Sequence, residues 1–265
     1  MRIGKTADAS SSIATADPDT ITVRDRDLCA ELIGQIGFTE YFLMLLTGTA
    51  PDPARRALVD ACLVAIAEHG LVPSVAAARM TLAAAPEAWQ GAVAAGLLGC
   101  GSVVLGSAQD AGTLLRAGLS DVDAGEPVEQ VAEALVARAR AERAALPGFG
   151  HPLHRDEDPR STALLALADD LGTAGGHVRL LRAIEAAVPA HYGRRLPVNV
   201  SGAIAAVLLD AGFPAAALKA VSLLARTAGL LAHLLEETDR PIGFLLAESG
   251  AEAVEYRPAT VHTGH

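Results

Sequence analysis

The sequence predicts an all-α protein, and three observations carry that prediction. Of the 265 residues, 51% are hydrophobic but only 3% are aromatic. Ala and Leu dominate the apolar set, which favours close-packed helices over sheets. The apolar stretches are closed by Gly and Pro at helix-like intervals. No period-2 alternation runs long enough for a sheet, and no internal repeat is present.

Taken in order, residues 1–20 are rich in Ser, Thr, Ala and Asp and are expected to be extended or partly disordered. Residues 21–27 alternate and read as a short strand or a lead-in. Residues 38–46 read as a buried helix, stopped by Gly48 and Pro51. Asp52 and Pro53 open the next helix as N-cap and first residue, running to about Glu68. After a break at 69–74, Ser74 is expected to cap a helix to about Ala84, and another covers 86–97. Residues 99–106 are punctuated by Gly. Helices are expected over 110–117 and 128–145, separated by turns at 118–127. Beyond a polar loop at 148–160, helices are expected at 161–171, 176–188, 203–211 and 215–237. Breaks fall at 194–202, 212–214 and 239–243, and the tail to His265 reads as irregular.

Composition narrows the partners. A net charge of −10 argues against nucleic acid, although a few arginines can still form a local anion site. Mean hydropathy is +0.32, and a large subunit interface would account for it. No apolar run free of charge reaches the roughly 18–20 residues that cross a bilayer, and the N-terminus lacks an apolar signal core. Cys29, Cys62 and Cys100 have no metal-like or disulfide-framework spacing. The expectation is a soluble cytoplasmic protein with no metal.

The most polar, least helix-like segment is 148–160, Gly-Phe-Gly-His-Pro-Leu-His-Arg-Asp-Glu-Asp-Pro-Arg. His151, His154, Arg155 and Arg160 can move protons and clamp carboxylates or phosphates. From these residues alone, a binding site and a solvated interhelical loop are both open readings.

Four segments in this order resemble the citrate synthase superfamily over about residues 30–258. They are His69-Gly-Leu-Val-Pro-Ser74 with Ala77-Ala78-Arg79; Gly148-Phe-Gly-His151-Pro with Asp158-Pro-Arg160; Asn199-Val200 with Gly212-Phe213-Pro214; and Ala225-Arg226-Thr-Ala-Gly229-Leu-Leu-Ala-His233 with Asp239-Arg240-Pro241. In length the chain resembles the short citryl-CoA lyases of this superfamily. The resemblance implies a homodimer with a large helical domain from 1–110 and 206–265. A smaller domain over 111–205 would close over coenzyme A.

The resemblance also implies roles. His151 would act on the keto or hydroxyl oxygen. His69, Arg160, Arg226 and Arg240 would bind substrate carboxylates, with Arg240 reaching the neighbouring subunit's site, and Arg155 would contact a CoA phosphate. Two positions depart from the family pattern. Leu105 stands where an enolate-stabilising histidine would be, and Ser201 stands where a catalytic aspartate would be. The main-chain N–H near Gly106 could replace the first, and Asp110 or Glu157 the second. The expected ligands are an acyl-CoA and a di- or tricarboxylate, with no cofactor beyond the CoA thioester substrate. The leading expectation is cleavage of citryl-CoA to acetyl-CoA and oxaloacetate. The alternatives are condensation of an acyl-CoA with oxaloacetate, or a non-catalytic carboxylate-binding homologue.

Overall fold

The computed structural model describes residues 9–101, 105, 107–151 and 153–257. The expectations for residues 1–8, Gly106, Pro152 and the tail from 258 lie outside them. The chain is mainly helical, as expected, with one small sheet near the N-terminus. Strands β1 (Ala14–Ala16), β2 (Ile21–Val23) and β3 (Arg26–Asp27) pair antiparallel in that order. Arg24 and Asp25 adopt φ of 48° and 62° between β2 and β3, the left-handed geometry that closes a two-residue hairpin. Residues 14–16, expected to be extended or partly disordered, form a strand. Asp27 then caps a single π-helical turn, Leu28–Leu32, accepting from the N–H of Cys29 and of Ala30.

The helices are α1 (Phe38–Thr47), α2 (Pro53–Ala67), α3 (Pro73–Ala84), α4 (Trp89–Leu98), α5 (Ser107–Asp123), α6 (Val128–Ala141), α7 (Pro159–Asp170), α8 (Gly176–Tyr192), α9 (Val200–Asp210), α10 (Leu218–Asp239) and α11 (Gly243–Ala253). A 3₁₀ turn, Ala215–Ala217, precedes α10.

Three local expectations are corrected. Ser74 does not cap α3: Pro73 occupies the first helical position, Val72 is the N-cap, and Ser74 is buried within the first turn. Residues 118–123 are helix rather than turn, because Gly118 gives Leu135 and Leu180 room to pack against α5. The region after Pro241 is not irregular throughout, because α11 forms there and packs on α3. Gly243 starts it at a point where a Cβ would lie 2.5 Å from the Ala83 side chain.

Two compact units are present. The first comprises residues 1–62 and 108–218. Its α6 and α8 pack together, and α9 packs on α7 and α8. Nearly all of α9 is buried, from Val200 to Leu208, so this helix is a core element. Near the N-terminus, Val23, Leu32 and Met44 form a small cluster with Leu28, Ile36, Tyr41 and Leu45 against it. The second unit comprises residues 63–107 and 219–265. Its core is Val75, Ala78, Leu82, Ala92, Leu230 and Leu234, contributed by α3, α4 and α10.

These cuts differ from boundaries at 110/111 and 205/206. The start of α2 is tied to the end of α9 by Arg55 Nε donating to the Ala211 carbonyl at 2.7 Å. Leu218 packs into the space that Gly112 leaves on α5. Both contacts lie within the first unit.

The stretch Ala215–Asp239 has the length and hydropathy of a bilayer-spanning helix. Its residues Leu218, Val221, Ser222, Ala225, Arg226, Leu230, Leu234 and Glu237 are buried in the protein, in the three-to-four-residue rhythm of a core helix.

Candidate active site

In the first unit, the loop carrying His151 is fastened to the start of α9. Gly148 has φ +87°, and a Cβ there would lie 2.8 Å from the Cα of Gly202. A Cβ on Gly202 would lie 2.5 Å from the Gly148 carbonyl oxygen. Only two glycines permit this approach. Around it, Asn199 N donates to Gly148 O (2.9 Å) and Gly150 N to Pro197 O (2.8 Å). Phe149 and Val198 form an isolated antiparallel bridge. The Asn199 amide Nδ2 donates to Gly150 O at 2.9 Å. Its Oδ1 accepts from the N–H groups of Ser201 and Gly202 at 3.1 and 3.2 Å, capping α9. One side chain thus stops the loop and starts the helix.

Asp158 fixes the other end of the loop. It is fully buried and caps α7. Its Oδ1 accepts from Arg160 N at 3.1 Å and Arg160 Nε at 2.9 Å. Its Oδ2 accepts from Arg160 Nη2 at 2.9 Å and from Val200 N at 2.9 Å. Burial pushes the Asp158 carboxyl up, but hydrogen bonds from Arg160, the guanidinium charge and the amides of Val200 and Arg160 together outweigh it, so its pKa is lowered. Ser161 Oγ adds bonds to Asp158 O (2.9 Å) and Val198 O (2.8 Å).

Arg160, so held, places Nη2 3.5 Å from His151 Nε2. The other ring nitrogen of His151, Nδ1, accepts from the N–H of Leu153 and of His154, both at 3.1 Å. Bonds accepted at Nδ1 would leave the ring proton on Nε2, whereas the donor-only guanidinium 3.5 Å away favours Nε2 as an acceptor, so the two contacts favour opposite tautomers. The His154 ring lies against that of His151, with centroids 4.5 Å apart. Arg155 is exposed on the same loop.

Ser201 is buried in the first turn of α9. Of the carboxylates considered in its place, Asp110 is exposed in the first turn of α5. Glu157 is exposed and accepts from Thr162 Oγ1 at 2.5 Å, a bond that ties it to the start of α7.

In the second unit, His69 follows the end of α2 and is half-buried. Glu68 shapes its turn: Oε1 accepts from His69 N at 2.7 Å and Gly70 N at 2.6 Å, while Oε2 lies 3.0 Å from His233 Nε2. Arg226 is buried on α10, with Nη2 3.5 Å from the Ile66 carbonyl. Gly229, three residues on, lets α10 approach the Ala67 carbonyl, which a Cβ would meet at 2.3 Å. Leu105 is half-buried with φ +65°, a left-handed conformation that is strained for leucine.

Arg240 is exposed at the end of α10, and its carbonyl accepts from Arg79 Nη2 at 2.8 Å. Arg79 itself is 2% exposed and pairs with Glu237 at 2.5 Å and Glu236 at 2.7 Å. The matched arginine at 79 is therefore an internal strut joining α3 to the end of α10.

Each unit assembles part of the expected set. His151, Arg160 and the loop bearing Arg155 stand together in the first; His69 and Arg226 both border the C-terminal end of α2 in the second. The supporting residues Asp158, Asn199 and Glu68 were not singled out from sequence. Their signals were present: Asp-Pro and Asn-Val each precede a helix, the pattern of an N-cap.

A family model for the citrate synthase C-terminal domain matches residues 21–243. "Putative citrate synthase 2" of Mycobacterium tuberculosis is 32% identical over 192 residues, 71% of this chain and 49% of that protein. The citrate synthase of Haloferax volcanii is 29% identical over 223 residues, 82% of this chain and 56% of its own length. The chain thus spans about half the length of the curated relatives it matches. The solved citryl-CoA lyase of Hydrogenobacter thermophilus superposes with a TM-score of 0.83 at 28% identity, covering 100% of this chain and 98% of that one. The chain belongs to the citrate synthase family.

Proposed function

We propose that this chain is a citryl-CoA lyase-like enzyme, cleaving citryl-CoA to acetyl-CoA and oxaloacetate. The observation that carries the reading is the superposition on the solved citryl-CoA lyase of Hydrogenobacter thermophilus, with a TM-score of 0.83 at 28% identity.

Cleavage breaks the bond between the carbinol carbon and the carbon α to the thioester. The hydroxyl gives up its proton, for which His151 is the acceptor in this reading, and its oxygen becomes the keto oxygen of oxaloacetate. The bond's electron pair passes to the thioester as an enolate, which takes up a proton at carbon. His151, once it carries that proton, suits stabilisation of charge on that oxygen. Arg160 beside it adds a cation, and Asp158 holds that guanidinium in one orientation, so little reorganisation is needed during reaction. His69 and Arg226 are the carboxylate ligands in this reading. Arg155, exposed on the same loop, would meet a phosphate of coenzyme A. Arg240 would complete the site of a second subunit in a homodimer. In this reading residues 111–205 act as the closing domain.

A second reading has specific support. Leu105 offers no side-chain donor for the enolate, and Ser201 offers no carboxylate. A protein that binds di- or tricarboxylates without turning over a thioester would look the same on the oxygen side.

The test is incubation of purified protein with citryl-CoA, following acetyl-CoA and oxaloacetate. Release above the spontaneous rate, abolished in His151→Ala, supports the lyase. Normal citrate or oxaloacetate binding by calorimetry with no release replaces it with the binding reading. Turnover that survives His151→Ala removes the role given to His151.

A further inference from the structure

On α10, Ser222 is 0% exposed, and its Oγ has no hydrogen-bond partner among the described residues. That is unusual for a hydroxyl inside a helix, which ordinarily bonds back to the carbonyl four residues earlier. Thr47, Thr81, Thr113 and Thr227 all do so here, at 2.7–3.0 Å. An unpartnered buried hydroxyl costs free energy, so its presence calls for an account.

Ser222 lies between two cations on one helical stripe. Lys219 is three residues before it and Arg226 four residues after it, spacings that share a face. Helical side chains lean toward the N-terminus, so Arg226 reaches back over the turn that carries Ser222. Cys100 reports the same grouping: burial raises its thiol, while the charges of Arg226 and Lys219 both pull it back. Lys219 stands in the first turn of α10, where the helix dipole disfavours a cation, and no carboxylate among the described residues lies within 4.0 Å of it. The stripe is therefore a positive, partly buried patch in a chain of net charge −10.

We propose that Ser222 Oγ–H and Arg226 grip the same ligand carboxylate, in a recess whose positive potential Lys219 sets. This rests on the reading that Arg226 holds a substrate carboxylate, and it adds two residues to that grip. The ligand class is a short di- or tricarboxylate.

The test is calorimetry with oxaloacetate and with citrate at low and high salt, using the full chain. Ser222→Ala is expected to weaken binding about tenfold at either salt, as loss of a hydrogen bond to a charged group does. Its ligand-free melting temperature is expected to be unchanged or higher, because an unpartnered hydroxyl has been removed. Lys219→Met is expected to weaken binding a few-fold at low salt, with the gap closing at high salt. Wild-type affinity in Ser222→Ala, or a lower ligand-free melting temperature with unchanged affinity, overturns the proposal and makes the hydroxyl structural. Cleavage assays separate this from the lyase reading. Weakened binding without any wild-type cleavage leaves the recess standing and removes the lyase. Cleavage with an unchanged KM in Ser222→Ala does the reverse.

Discussion

Replacing Asp158 by Asn tests how the oxygen side of the site is held. The carboxylate takes four hydrogen bonds, three from Arg160 and one from Val200 N. It is fully buried, while the Arg160 side chain is 20% exposed. Asn keeps one oxygen, so it satisfies at most about half of those donors, and its amide nitrogen confronts the remainder. Breaking one partner of a buried pair costs about 3–5 kcal/mol. Arg160 can turn partly to water, so the lower end applies, about 3 kcal/mol. For a chain of this size that corresponds to a fall in melting temperature of roughly 6–12 °C. The accompanying functional effect is larger than a stability change alone gives, because Arg160 loses its orientation beside His151. Circular dichroism melting and oxaloacetate calorimetry read the two effects. A melting temperature within about 2 °C of wild type, with unchanged affinity, would falsify the assignment of Asp158 as the anchor of Arg160.

Three further predictions use other parts of the structure. Gly202→Ala places a Cβ 2.5 Å from the Gly148 carbonyl; backbone must move, at a cost of about 2 kcal/mol, and carboxylate binding should weaken with it. Wild-type melting and binding in that variant would show that the close approach is dispensable. Arg79→Met strands Glu237, which is 4% exposed, and should cost about 3–5 kcal/mol, with partial recovery in Arg79→Met/Glu237→Gln; the difference is measurable by urea unfolding. Acid should destabilise the fold. Asp158, Asp210 and Glu237 all have pKa values lowered from 3.8, 3.8 and 4.5, each because hydrogen bonds and cationic or amide partners outweigh burial. A lowered folded pKa means that the unfolded chain binds more protons, so this stabilisation is present above the ordinary carboxylate range and is lost as pH falls through the folded values. Melting temperature should hold down to about pH 5 and drop below about pH 4; an unchanged value at pH 3 contradicts the assignment.

Much of the helical layout was legible because Gly and Pro close each apolar stretch: Gly48 and Pro53 bracket α1 and α2 where expected. The misreadings share a cause, which is that tertiary packing overrides local signals. Gly118 reads as a turn former but serves as a flat spot for Leu135 and Leu180. Gly243 similarly starts α11 against α3 rather than ending the fold. Ser74 carries a capping side chain, yet Pro73 already supplies the first helical residue. On the site, the candidate histidines and arginines stood out because charged groups are sparse among Ala and Leu. Their supports stood out less: Asp158 and Asn199 show only as N-cap residues before a helix, and Glu68, which accepts from the N–H groups of His69 and Gly70, has no such signal.

The distinction between these two kinds of residue bears on how strongly the motifs argue for the reaction. The loop that carries His151 and Arg160 and the start of α9 form one physical device. Gly148 and Gly202 set the approach, Asn199 locks both sides of it, and Asp158 spans from Arg160 to the N–H of Val200. A chain needs that device to place α9 in its core, whether or not it performs chemistry. Retention of Gly148, Asp158 and Asn199 therefore speaks for the fold. His151 and Arg160 also make structural bonds, Nδ1 to the N–H groups of Leu153 and His154 and the guanidinium to Asp158, but Nε2 of the one and Nη2 of the other meet at 3.5 Å as well, a contact that capping α7 and α9 does not require. These two side chains carry the argument for an oxygen-side role. The first turn of α9 makes the opposite point. Ser201 occupies it with the same capping bonds to Asn199 that any residue could make through its N–H, so the helix can form without a carboxylate there. The reaction class thus rests on the side chains at 105, 151, 160 and 201, while the surrounding matches establish the scaffold that presents them.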